Sequence, residues 1–165
     1  MIIETQAMNR TLALALQVLS VVGILGILAL QVWAIPAVAA SMAAEYPEFA
    51  FAQWPLTVAL IAALVAIQVA LAAVVRLLGL VRAHEIFRGA GLRWTAVMIG
   101  ALAAAWGIVA VTTVWQTAAG ASNPGLLLLE LLALLVGGAV ILLLVVMRGL
   151  LADATALRVE MDEVV

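Results

Sequence analysis

The chain has 165 residues, 68% of them hydrophobic and only 10% charged. Its mean hydropathy of +1.33 excludes an ordinary soluble domain, which is roughly half apolar and about a quarter charged. Seven arginines, no lysine, nine acids and one histidine leave a formal net charge of -2, so there is no basic excess to hold a nucleic acid backbone and no nucleic acid partner is expected.

Four stretches nearly free of charge follow one another, at about 11–35, 56–75, 95–119 and 126–147. At about 1.5 Å rise per residue each reaches across a hydrocarbon core of roughly 30 Å as a helix. The expected fold class is an all-α integral membrane protein, a single domain over 1–165, with four transmembrane helices and a cytoplasmic amphipathic C-terminal helix in the tail 148–165. The first partner this implies is the lipid bilayer itself. No cysteine is present, which removes disulfides, thiolate metal sites and thiol nucleophiles together.

The first stretch opens after Arg10. Ala37-Val38-Ala39 beyond it has the small-residue form of a signal-peptidase site, but the apolar run before it, about 25 residues, far exceeds the roughly 7 to 15 of a signal peptide, so a retained helix is expected. Pro36 is expected to end the first helix and Pro55 to open the second, with an outer loop between them. Gln17 and Gln68 fall at similar depth in these antiparallel helices, and a cross-helix amide pair is expected. Small residues are spaced for close helix contact at Gly23 and Gly26, along Ala59, Ala62, Ala63, Ala66 and Ala70, and at Gly100 with Ala104; without a hydrophobic drive between helices in lipid, such sites let backbones approach.

The loop between the second and third helices carries Arg76, Arg82, Arg88 and Arg93. Arg10 precedes the first helix, Arg148 and Arg158 follow the fourth, and the two opposite loops carry no arginine. By the positive-inside rule this puts both termini and the middle loop in the cytoplasm, with the membrane crossed several times. Trp33, Trp54 and Trp115 at outer ends and Trp94 at an inner end suit the headgroup region. Trp106 falls near mid-membrane and reads as packed in the bundle or against lipid. His84-Glu85 lacks a second histidine and Arg88-Gly89-Ala90-Gly91 lacks the strand and lysine of a phosphate loop, so both read as solvated loop. With no serine elbow and no paired carboxylates, the expectation is a protein without enzymatic activity, cofactor or metal.

Asn123 before Pro124 is a good N-cap followed by proline at the first helical position, which makes the third and fourth helices antiparallel neighbours across a short turn. Glu130 is the only ionisable side chain inside a predicted span, and an intramembrane carboxylate is costly enough to be a functional candidate by default. Gln31 and Gln116, with Thr112 and Thr113, fall at the same outer depth. Two readings stand: a small polar site facing outward, of use to an oligomeric transporter or channel, or unrelated interfacial residues among which Glu130 snorkels to the headgroups. The second is favoured on the sequence.

In the tail, Leu150, Ala154, Leu157, Met161 and Val164 form an apolar helical stripe, with Asp153, Arg158, Glu160, Asp162 and Glu163 off it. Four acids against one arginine after Gly149 make a net of -3, while four arginines against one acid between Arg76 and Arg93 make a net of +3. The expected cytoplasmic interaction surface therefore comprises Arg82 and Arg88 of the loop and Leu157, Arg158, Met161 and Asp162 of the tail. It serves either mutual attraction of loop and tail or docking of a second copy or a cytoplasmic protein partner.

The inner-loop run Leu80-Val81-Arg82-Ala83-His84-Glu85-Ile86-Phe87-Arg88 and the closing run Ala156-Leu157-Arg158-Val159-Glu160-Met161-Asp162-Glu163-Val164 resemble the bacterial membrane-protein family called domain of unknown function 2975. The resemblance extends over almost the whole chain and implies four helices with both runs cytoplasmic. That family has no established activity. Its members are often encoded beside a small helix-turn-helix regulator, so the resemblance implies a membrane partner in regulation, not a catalyst.

Overall fold

The computed structural model describes the backbone of residues 2–82 and 90–162 and the side chains of residues 14–80, 90–150, 152 and 153. The helices are α1 (Ile2–Ala29), a π-helical turn (Leu30–Ala34), α2 (Ile35–Glu45), a 3-10 segment (Pro47–Ala52), α3 (Gln53–Arg82), α4 (Ala90–Ala118) and α5 (Pro124–Asp162). No strand occurs among the described residues. Four segments are long and apolar enough to cross a membrane: Leu14–Glu45, Pro47–Leu80, Ala90–Ala118 and Pro124–Leu150. The protein is an all-helical, multi-pass membrane protein, with elements longer at most ends than the sequence pattern predicts.

The prolines explain where the backbone turns. Each lacks the N–H that an interior helical position needs, and Pro47, Pro55 and Pro124 sit in the first turn of a helical segment, where that donor is least required. Pro47 opens the 3-10 segment, Pro55 is the third residue of α3 and Pro124 is the first of α5. Pro36 departs from expectation. It does not end the first helix; it is the second residue of α2, which runs on from α1 through the π turn. The Ile35 N–H donates to the Leu30 carbonyl, five residues back. This wide turn relieves the clash that the proline ring would make with the carbonyl four residues before it, so the chain passes the proline as a π bulge instead of stopping. The expected outer loop is consequently almost all helical, with Tyr46 the single break.

The helices pack in chain order. Among the described residues α1 lies against α3, α3 against α4 and α4 against α5, and no other pair of these four makes more than marginal contact. The arrangement is an open row, with α1 and α5 at its edges. Along α3, Ala63, Ala70 and Ala73 are all buried; spaced at seven and three residues, they take in part of the expected alanine row and extend it toward the arginine-bearing end. Gly23 meets α3, where an added Cβ would touch Leu71 at 3.7 Å, whereas Gly26 and Gly100 face open space. No residue of the most apolar window of α5 is buried, which suits a helix whose leucines and valines are solvated by lipid tails.

At the end of the row opposite the arginines the Phe51 and Trp115 rings meet edge to face, with centroids 6.4 Å apart. This ties the 3-10 segment to α4 in the offset geometry that aromatic quadrupoles favour.

Candidate functional site

The turn between α4 and α5 sets the register of the site. Gly120 has φ 69, the left-handed conformation that costs a Cβ-bearing residue most. Around it the Ala121 N–H donates to the Gln116 carbonyl at 2.9 Å and the Gly120 N–H to the Thr117 carbonyl at 3.2 Å, the paired bonds of a Schellman cap. Asn123 then caps α5, its Oδ1 accepting from the Gly125 N–H at 2.9 Å. The expected cap is thus present, and five residues, 119–123, separate the two helices.

This register brings Glu130 of α5 against Thr113 and Gln116 of α4, one turn apart on a single face. The Thr113 hydroxyl lies 2.9 Å from Glu130 Oε2 and also 2.9 Å from the Val109 carbonyl, so its one hydrogen serves either acceptor. Gln116 Nε2 donates to the same Oε2. Thr113 is 6% exposed and Gln116 1% exposed, the largest side chain buried so completely among the described residues. Glu130 itself is half-buried. Burying an amide in a membrane protein is costly unless its hydrogens are taken, and Glu130 is what takes one of them. The group therefore offers one acceptor oxygen held by two neutral donors. Among the described residues no cluster of three His, Cys, Asp or Glu side chains forms that would hold a metal ion.

Of the polar residues placed at this depth by the sequence, Gln116 and Thr113 meet Glu130 and Gln31 does not. The favoured reading, unrelated interfacial residues, is corrected for this trio. Gln31 lies in the π turn, 6% exposed, and its Nε2 donates to the Ile61 carbonyl of α3 at 3.3 Å. Thr112 bonds the Ile108 carbonyl of its own helix at 2.7 Å.

The expected Gln17–Gln68 amide pair is likewise replaced. Gln68 Nε2 donates to the Ile24 carbonyl of α1 at 3.1 Å, and Gln17 lines a cleft near the other end of the helix. In Gln31 and Gln68 alike a helix carbonyl, which keeps a lone pair free after its own backbone bond, wins over a second amide that must be oriented to match.

Trp106 is packed across α4 and α5, as one of its two expected readings has it. Its Nε1 donates to the Leu134 carbonyl at 2.8 Å. The indole covers two glycines that the sequence analysis passed over: a Cβ at Gly137 would lie 3.2 Å from Trp106 Cδ1, and one at Gly138 3.5 Å from Nε1. The readable signal was a tryptophan and a Gly-Gly pair at roughly equal distances, about four turns, from the connecting turn.

At the arginine-bearing end, the Arg76 guanidinium carbon stands 5.8 Å from the Trp94 ring centroid, a cation–π pairing of α3 with α4. The side chains of the expected cytoplasmic surface, Arg82, Arg88, Leu157, Arg158, Met161 and Asp162, lie outside the described residues, as do His84 and Glu85. The backbone of the tail is described as far as Asp162, as an unbroken continuation of α5.

No curated protein and no solved structure matches the chain. Residues 37–165, all but the first helix up to Pro36, match the model of a family described as protein of unknown function (DUF2975). The four helices fit the resemblance carried by the inner-loop and closing runs, and the chain belongs to this family.

Proposed function

We propose that the protein is a non-catalytic interaction protein of the bacterial inner membrane, acting in regulation through its cytoplasmic loop and tail, with both termini inside. The observation that supports this reading is the length of α5. Its 39 residues extend about 58 Å at about 1.5 Å per residue, roughly twice the hydrocarbon thickness. The uncharged run of α5 ends at Met147, and the helix backbone runs on to Asp162, through the sequence positions of most of the stripe and of the acidic residues. By sequence the tail carries a net of -3 and the loop a net of +3, which suits an amphipathic tail that meets a protein and not anionic headgroups, which repel it.

Orientation is tested with single cysteines in the cysteine-free chain. Ser41 and Ser122 are expected to react with an impermeant maleimide in intact cells and Ala83 to stay unlabelled. Labelling at Ala83 without labelling at Ser41 reverses the topology.

The interaction surface is tested by protease access to the tail in inside-out vesicles. Each exposed ion pair between loop and tail contributes under about 1 kcal/mol, so the apolar stripe supplies most of the attachment, and salt weakens it without abolishing it. Replacing Leu157 and Met161 by serine is expected to expose the tail to cleavage more than replacing Asp162 and Glu163 by their amides. Equal, rapid cleavage of the parent and both variants defeats docking on the loop.

The second reading, a small oligomeric transporter or channel using Glu130, draws support from a carboxylate at membrane depth. An ion or proton flux in proteoliposomes that Glu130→Gln abolishes, at normal expression, replaces the first reading with this one.

A further inference from the structure

The arginine-bearing end of the row contains a cleft of about 370 Å³ between α1, α3 and α4, lined by Gln17, Val75, Arg76, Gly79, Leu80 and Trp94. Its space comes from Gly79: a Cβ there would meet nothing within 4 Å. Its depth follows from Arg76, the first charged residue after the uncharged run 56–75 of α3, whose 20 residues span about 30 Å. That places the guanidinium at headgroup level, with Val75 and Leu80 presenting apolar surface beside it.

The chemistry is that of an anion site. The Arg76 guanidinium carbon stands 5.8 Å from the Trp94 ring centroid, a cation–π contact that draws on the ring's negative face and does not consume the N–H donors of the guanidinium. The indole also holds the fork in place, so less side-chain freedom is lost when it grips a ligand. Gln17 adds an amide donor from α1 across the cleft. Of the acids whose side chains are described, Glu45, Glu48 and Glu130 lie toward the opposite end of the helices, and Asp153 lies on α5, which does not line the cleft. A fork of parallel donors suits the oxygens of a phosphate, which arginine binds through two bonds at once.

We propose that this cleft binds the phosphate headgroup of an anionic phospholipid, such as a phosphatidylglycerol, from the leaflet at the arginine-bearing end. A lipid is favoured over free phosphate because half of the lining is apolar and the cleft opens at the depth where lipid phosphates lie. Basic pockets between transmembrane helices take anionic headgroups on the same grounds.

The test is native mass spectrometry of the full-length protein in a mild detergent, titrated with phosphatidylglycerol, with phosphatidylcholine of the same chains, and with inorganic phosphate. Phosphatidylglycerol is expected to be retained in preference to phosphatidylcholine. Arg76→Gln is expected to weaken its binding about fivefold, the worth of one arginine near a membrane surface, while Arg148→Gln, at the same end but outside the cleft, leaves it unchanged. Gly79→Leu keeps the charge and fills the space, and it too is expected to lose the lipid, so the proposal remains testable if Arg76→Gln fails to fold. Equal retention of the two lipids by the parent protein overturns the proposal, and so does equal weakening by Arg76→Gln and Arg148→Gln. Displacement of the lipid by inorganic phosphate at comparable concentration assigns the cleft to a free anion and overturns the lipid assignment.

Discussion

Glu130→Leu is expected to insert into the membrane more readily than the parent chain and yet to fold into a less stable protein. The two effects have different origins. Removing a carboxylate from a spanning segment saves roughly 2–3 kcal/mol on insertion scales. In the folded protein the same change strips the acceptor from Gln116, which is 1% exposed and has no water to turn to, and from Thr113. Thr113 is spared because its hydroxyl still reaches the Val109 carbonyl. Gln116 is not. An orphaned buried donor costs about 1–3 kcal/mol, while interhelical hydrogen bonds in membranes average only about 0.6 kcal/mol, so a loss of about 1–2 kcal/mol is expected. Glu130→Gln keeps an acceptor oxygen and is expected to cost less than about 1 kcal/mol. The measurement is reversible unfolding in mixed micelles, read beside the amount inserted. A leucine variant as stable as the parent sinks the clamp, and a glutamine variant that fails to fold points to a charged partner beyond Thr113 and Gln116.

The four spans and the α4–α5 turn were legible because they rest on signals that tertiary contact cannot overrule. Twenty apolar residues have one low-energy state in lipid, and Asn123-Pro124 caps a helix wherever it lies. Glu130 with Gln116 was legible as a matter of depth, since two antiparallel helices joined by a short turn pair residues at equal distance from it. Partner choice was not. Gln31 and Gln68 bind helix carbonyls, which every residue supplies, so no side-chain pattern names the acceptor. Pro36 misled for a related reason: proline marks a lost donor and a clash, and a stop and a π bulge both resolve them. The open row was also beyond reach, because all four helices are apolar around most of their circumference and lipid and protein contacts select the same residues.

Gly137→Val is expected to be the most damaging single change between α4 and α5, costing about 1–3 kcal/mol by overpacking. A bare Cβ at this position would already stand 3.2 Å from Trp106 Cδ1, and valine adds two methyl groups that its branched Cβ cannot swing clear of the ring. The indole does not yield freely, because its N–H is bonded to the Leu134 carbonyl at 2.8 Å; moving the ring away gives up that bond as well. Gly138 is the control within the same pair. Its Cβ would sit 3.5 Å from Nε1, an ordinary contact, so Gly138→Ala is expected to be neutral or to stabilise by up to about 1 kcal/mol through helix propensity. Trp106→Ala should relieve the penalty of Gly137→Val, which a double-mutant cycle on unfolding free energies detects as coupling between the two sites. Additive effects, or equal tolerance of valine at 137 and alanine at 138, would show that the tryptophan rests on lipid and that α4 and α5 are joined by the Glu130 contacts alone.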